Sequence, residues 1–341
     1  MPRMRRPAAP LWLRKMSASP ANDAADSDRD LTREPPIALV IHGGAGIISR
    51  GDVAVEDEMH IHADLRRALD AGHAVLASGG SAVEAVQAAI VVLEDSPYFN
   101  AGKGSVFDAD GGHELDASIM EGHTGRAGAI AGVTTIRNPI RLAHAVMEHS
   151  PHVMLAGKGA ERFASTQPQI EQVEPSYFDT DKRWQQLQAA QAAEQAQPAA
   201  SLRGAYFGTV GAVALDRHGH IAAGTSTGGM TNKRWSRVGD SPIIGAGTYA
   251  TADCGVSGTG WGEFYIRAAA AHDICARVAY RGDSLQSAAE AVINQVIPAM
   301  GGDGGAIALD RNGVIAMPFN TLGMYRGWIH PDGRRGTAIF A

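Results

Sequence analysis

The chain has 341 residues, 45% of them hydrophobic and 19% charged, with a formal net charge of −6. These values describe a globular chain long enough for a large central sheet, and they disfavour a nucleic-acid partner, which needs a basic face. No apolar run approaches the roughly 20 residues of a membrane helix, and two cysteines, Cys254 and Cys275, supply neither a disulfide framework nor a thiolate zinc site, so both read as small buried hydrophobes.

Residues 1–35 are polar, rich in Pro, Ala and Asp, and without period, which predicts a disordered N-terminal extension. Its Arg-rich start around Pro7–Leu13 lacks the long apolar core of a secretory signal, and a cytoplasmic protein is expected. Ile37–Ile41 predicts a strand that runs into a glycine turn, His42-Gly-Gly-Ala-Gly46. Helical spacing of apolar residues over Asp57–Ser78 predicts a helix stopped by Gly79-Gly80. Ser81 with Glu84 three residues later is a capping box opening a second helix to about Glu94. Asn138-Pro139 starts a third, to about His149. Strands are expected over Glu114–Met120, Ala129–Ile136 and Val153–Leu155. Residues 165–208, rich in Gln, Ala and Pro, read as a mobile linker with a loosely helical piece over Trp184–Gln197.

After the linker the chain repeats itself. Gly211–Ala223 and Gly305–Met317 agree at nine of thirteen positions. Each reads as a β-hairpin with an Asp/Gly turn and strands buried on both faces. Two helical patterns, Glu263–Tyr280 and Ser284–Met300, separate them, so layered helices on two sheets are expected.

The hairpins differ at their entrances: the second begins Gly302-Asp-Gly304, the first Gly208-Thr-Val210. A threonine freed by a cut after Gly208 would carry a hydroxyl and an α-amine on one residue. An α-amine with pKa near 8 can accept the hydroxyl proton, so nucleophile and base coincide. Thr225-Ser-Thr-Gly-Gly229 brings hydroxyls back beside Thr209. Ser257–Glu263 reads as a glycine-rich turn before a helix, whose N–H groups and Thr259 hydroxyl suit an oxyanion hole. Arg237 and Asp240 offer a cation and an anion for the zwitterionic end of an amino acid.

These motifs, with Ile41–Gly46, Phe99-Asn-Ala-Gly-Lys-Gly104, Glu114–Met120, Gly301–Gly305 and Pro318–Arg326, resemble the plant-type asparaginase/isoaspartyl peptidase family over residues 36–341. The resemblance implies an α/β N-terminal-nucleophile (Ntn) hydrolase fold, a four-layer αββα sandwich in one domain. It implies self-cleavage between Gly208 and Thr209 into an α subunit (36–208) and a β subunit (209–341), assembled as a dimer of αβ pairs. Thr209 is then the nucleophile, Thr227 its supporting hydroxyl, and Thr259 with Gly260 the oxyanion hole. Arg237 and Gly262 hold the substrate carboxylate and Asp240 the α-amine, Gly260 also borders the substrate, and Asn100 positions the nucleophile. No cofactor is required. A structural sodium ion is implied on backbone carbonyls of Leu93, Glu94, Ser96, Phe99, Ala101 and Lys103.

The implied reaction is hydrolysis of L-asparagine and of β-aspartyl dipeptides. Arg234-Trp235 and Trp261 sit beside the substrate motifs and could shape the choice between them. Two alternatives share the scaffold. A glycosylasparaginase-like amidase is disfavoured by the Val-Gly-Ala-Val-Ala run after the nucleophile and by the low Cys content. A catalytically silent binding protein would be expected to have lost Thr209 or the pocket residues.

Overall fold

The computed structural model describes residues 36–51, 53–196 and 208–341, all within one compact unit. The expected extension 1–35 and the last part of the expected linker, 197–207, lie outside the described residues.

In chain order, strand β1 (Ala38–Gly46) leads to helices α1 (Val55–Ala77) and α2 (Ala82–Glu94), then strands β2 (Leu115–Glu121) and β3 (Ala127–Val133). Helix α3 (Pro139–His149), strand β4 (Met154–Ala156) and helices α4 (Gly157–Ala164) and α5 (Asp181–Ala196) follow. Beyond residue 208 come β5 (Val210–Leu215), β6 (Ile221–Thr227), β7 (Thr248–Ala250) and β8 (Cys254–Gly260), then helices α6 (Gly262–Ala268), α7 (Ala270–Ala276) and α8 (Leu285–Ala291). Strands β9 (Gly304–Asp310), β10 (Ile315–Ala316), β11 (Gly323–Ile329) and β12 (Arg335–Phe340) close the chain.

The strands form an eight-stranded sheet, β12-β11-β1-β5-β6-β2-β3-β4, and a four-stranded sheet, β10-β9-β8-β7. Strand alternation divides the apolar residues among three cores. On β1, Leu39 and Ile41 face α1 and α2, while Ala38 and Val40 face the small sheet. On β9, Ile307 and Leu309 meet them from the other side, and Ala306 and Ala308 face α7 and α8. The layers therefore run helix, sheet, sheet, helix: the αββα arrangement expected from the sequence. The repeated hairpins lie in opposite sheets and share their turn chemistry. Asp216 Oδ1 accepts from the N–H groups of His218 and His220, and Asp310 Oδ1 from those of Asn312 and Val314.

The capping box at Ser81 is formed, with Ser81 Oγ accepting from Glu84 N and Glu84 Oε2 accepting from Ser81 N. Four expectations are corrected. Residues 165–196 are not a loose linker: Ile136 bridges to Gln172, and α5 buries Leu187 and Arg183 while Trp184 packs edge-on against Phe107. The helix expected over Glu263–Tyr280 breaks at Ala269, which is left-handed (φ 47°), because the N–H groups of Ala271 and His272 turn to the carbonyls of Ala246 and Gly245. Ser257–Gly260 is strand, not turn. Its glycines suit close packing, since a Cβ at Gly260 would lie 2.4 Å from Asp303 O. Cys254 and Cys275 are buried but not free: a disulfide joins them, tying β8 to α7.

Candidate active site

Antiparallel pairing of β5 with β6 places Val210 opposite Ser226, so Thr209, at the head of β5, meets Thr227, at the end of β6. Thr209 Oγ1 donates to Thr227 Oγ1 at 3.1 Å, and Thr227 Oγ1 accepts from Gly229 N at 3.0 Å. Thr209 is buried, and its nitrogen is bonded to Gly208. Gly208 is left-handed (φ 64°) and is pressed against the β1 bulge at His42–Gly44, where a Cβ on Gly44 would come within 2.2 Å of Gly208 Cα. Asn100 Nδ2 donates to the carbonyls of Gly208 (2.9 Å) and Gly229 (2.7 Å), and its Oδ1 accepts from Val106 N. Asn100 therefore grips the bond before the nucleophile from behind.

Thr259 and Gly260 end β8 at the same cleft, which Gly208, Thr209, Thr227, Arg237 and Asp240 also line. Thr259 Oγ1 accepts from Ala45 N at 3.1 Å, which leaves its own proton for another acceptor. Gly262 stands behind the clamp: a Cβ there would lie 2.8 Å from both Arg237 Nη2 and Asp240 Oδ1. The structure thus gathers the candidate residues into one place, with Asn100 and Gly262 as supports rather than lining. The cleft itself has only about 10 Å³ of free space in the uncut chain, too little for an amino acid.

The electrostatics single out Asp240. Burial pushes its carboxyl up to about 7, against the opposing pull of Arg237, and its Oδ2 is buried without a hydrogen-bond donor among the described residues. A buried acceptor of this kind carries a desolvation cost until a donor arrives, and a substrate ammonium would be one. Arg237 is already engaged: Nε and Nη2 donate to Glu263 at 2.8 and 2.7 Å.

Glu263 as the holder of Arg237 was not anticipated. Nor was His42, whose Nδ1 contacts the Thr209 carbonyl at 2.9 Å and whose Nε2 contacts Ser257 Oγ at 2.9 Å. Burial lowers the His42 pKa to about 3, so the ring is neutral. A carbonyl can only accept; Nδ1 therefore donates, and Nε2 accepts from Ser257. Ser257 continues at 2.7 Å to Thr225, Thr225 at 2.6 Å to Thr248, and Thr248 at 2.8 Å to Ser118. A buried hydroxyl chain thus braces the Thr209 backbone. The signal available was His42 directly before two glycines at a strand end.

The loop Leu93–Gly104 folds tightly on its carbonyls. A Cβ at Gly102 would fall 2.4 Å from Glu94 O, and one at Gly104 would fall 2.2 Å from Phe99 O. Phe99 O and Ala101 O each take one backbone N–H, from Ala101 and Gly104, leaving a second lone pair on each. This donor set of neutral oxygens fits a hard monovalent or divalent cation better than a transition metal. The Glu94 side chain is used elsewhere: its Oε1 accepts from Ser226 Oγ and Ile140 N, and burial pushes its carboxyl up to about 8. Lys103 Nζ donates to Tyr177 O.

A family model described as asparaginase matches residues 35–339. An isoaspartyl peptidase of Escherichia coli is 48% identical over 309 residues, covering 89% of this chain and 95% of its own. A probable isoaspartyl peptidase/L-asparaginase 2 of Arabidopsis thaliana is 41% identical, covering 89% and 98%. The human isoaspartyl peptidase/L-asparaginase is 40% identical, covering 82% and 88%. With its layered sheets, its Gly208–Thr209 junction and a match over nearly its whole described length, the chain belongs to the asparaginase family.

Proposed function

We propose that the chain cuts itself between Gly208 and Thr209 and then hydrolyses L-asparagine and β-aspartyl dipeptides. The carrying observation is that Thr209 shares one cleft with Arg237 and Asp240, whose Oδ2 lacks a donor among the described residues. After the cut, the Thr209 α-amine takes the Oγ1 proton, and Oγ1 attacks the side-chain amide carbon. Thr259 and the Gly260 end of β8 face the oxygen that gains charge. The amine leaves with a proton from the Thr209 ammonium, and water then hydrolyses the ester. Asp240 holds the substrate ammonium and Arg237 its carboxylate; Glu263 orients Arg237.

A sodium ion on the carbonyls of Leu93, Glu94, Ser96, Phe99, Ala101 and Lys103 belongs to the same proposal. There it would stiffen the loop that carries Asn100. An assembly of two αβ pairs and a cytoplasmic location complete the reading, to be checked by light scattering and by cell fractionation.

The direct test is a denaturing gel with two activity assays. Wild type should run as two fragments, release ammonia from asparagine and cleave a β-aspartyl dipeptide. Thr209→Ala should stay one band and do neither. A wild-type chain that remains whole and inert after long incubation would sink the proposal.

A further inference from the structure

Beside the clamp cleft lies a second cavity, of about 110 Å³, and Gly208 lines both. Gly43, Asn100 and Tyr325 line the near part of this cavity, and Lys182, Arg183 and Gln186 of α5 line it as well. We propose that this cavity is the leaving-group subsite, and that Arg183 there receives the free carboxylate of the amino acid released from a β-aspartyl dipeptide. The inference rests on the function proposed above and names the part of the substrate that function leaves undefined.

Two observations carry it. The first is stereochemical. The departing nitrogen takes its proton from the Thr209 α-amine, and that nitrogen is the atom bonded to Gly208 before the cut. The leaving group must therefore come to the space that Gly208 holds or borders. Arg237 and Asp240 line one of the two cavities that Gly208 borders, and the space open to the leaving group is the other, this cavity.

The second is electrostatic. Arg183 is buried, and among the described residues no carboxylate pairs with it. Its Nε donates to Gly104 O at 2.7 Å, its Nη1 to Gln186 Oε1 at 2.9 Å, and its Nη2 reaches Tyr98 O only at 3.5 Å. A guanidinium has five N–H donors, so among the described residues two are unspent. Burial without an anion lowers its pKa to about 10. A buried cation of this kind is stabilised by an incoming carboxylate, and the arginine fork fits one. Lys182, paired with Asp57 at 2.9 Å, stands at the same cavity.

The test compares β-aspartyl-glycine with β-aspartyl-glycinamide, which differ only in the terminal charge, with asparagine as the reference for general activity. Self-cleaved wild type should favour the free acid in kcat/KM by about tenfold. Arg183→Gln should bring that ratio to near one, and Arg183→Lys should keep part of it. Gln186→Glu, which sets an anion beside the guanidinium, should also lower the ratio, and it covers the case in which Arg183→Gln fails to fold. Equal rates on acid and amide in wild type would overturn the inference; the cut chain's own Gly208 carboxylate, seated on Arg183, would give that result. An Arg183→Gln enzyme that loses all three activities together with the ratio intact would also overturn it, marking Arg183 as structural only. Failure of the proposed function looks different, because no amide substrate would then be hydrolysed at all.

Discussion

At the level of single residues, the carboxylate of Asp240 makes the strongest prediction. It is buried, raised to about 7, and has one oxygen without a donor among the described residues. Its folded pKa lies above the usual 3.8, so between about pH 4 and 7 the unfolded chain gives up this proton while the folded chain keeps it. The resulting penalty on folding is absent below about pH 4 and complete above about pH 7. Asp240→Asn should therefore raise the melting temperature of the substrate-free protein at pH 8, and the gain should fade as the pH approaches 4. The same change should lower kcat/KM for asparagine by about a hundredfold, since a charge-assisted bond to the ammonium is lost. Wild-type kcat/KM should fall on the acid side of about pH 7, where free Asp240 takes up its proton. Thermal scans at several pH values with initial rates check all three; an Asp240→Asn protein less stable than wild type at pH 8 would refute the electrostatic reading. Asp240 was legible in the sequence as an anion near Arg237. Its orphaned oxygen was not, because which donors reach a buried atom depends on segments far away in the chain.

At the level of elements, β1 sets the surroundings of the bond that the proposed cut would break. Its bulge between His42 and Gly44 kinks the strand where it passes residue 208. Gly44 (φ 110°) leaves no room for a side chain against Gly208 Cα. Gly44→Ala should push the Gly208 carbonyl out of the reach of Asn100 and slow self-cleavage about a hundredfold, as small displacements of reacting groups do. A time course of the two bands on a denaturing gel measures it. The β8–α7 disulfide makes a second prediction at this scale. It closes a 21-residue separation, and opening it should cost about 3 kcal/mol. Cys275→Ser should lower the denaturant midpoint accordingly and leave the fold intact. The elements themselves were largely readable. The capping box at Ser81, Pro139 at a helix start and the alternating strands all carry local signals. Local pattern predicted the α5 helix but failed to show that it packs, because its polar Gln/Ala run buries only Arg183 and Leu187 and is held by distant contacts with Gly104 and Phe107. It failed again at Ala269, where loop carbonyls override helix propensity, and at the cysteine pair, which spacing alone could not join.

At the level of the whole molecule, the proposed cut falls inside an interleaved sheet. In the order β12-β11-β1-β5-β6-β2-β3-β4, strands β1 to β4 precede residue 208 and β5, β6, β11 and β12 follow it. Strand β1 therefore pairs on one side with β11 and on the other with β5, both from beyond residue 208, while β2 pairs with β6. Cutting one peptide bond breaks none of these ladders. The two fragments should leave a size-exclusion column together under native conditions and part only in denaturant. Covalent linkage matters only on refolding. The uncut Thr209→Ala chain refolds as one molecule, whereas the cut protein must first bring two chains together, so its recovery should rise with protein concentration. The interleaving adds a further barrier. Strand β1 has no partner inside its own fragment, and alone it would offer two unpaired edges to aggregation. Dilution from denaturant should accordingly return most of Thr209→Ala and little of the cut enzyme. Equal recovery of the two, independent of concentration, would mean that the fragments fold on their own and that the shared sheet is not what unites them.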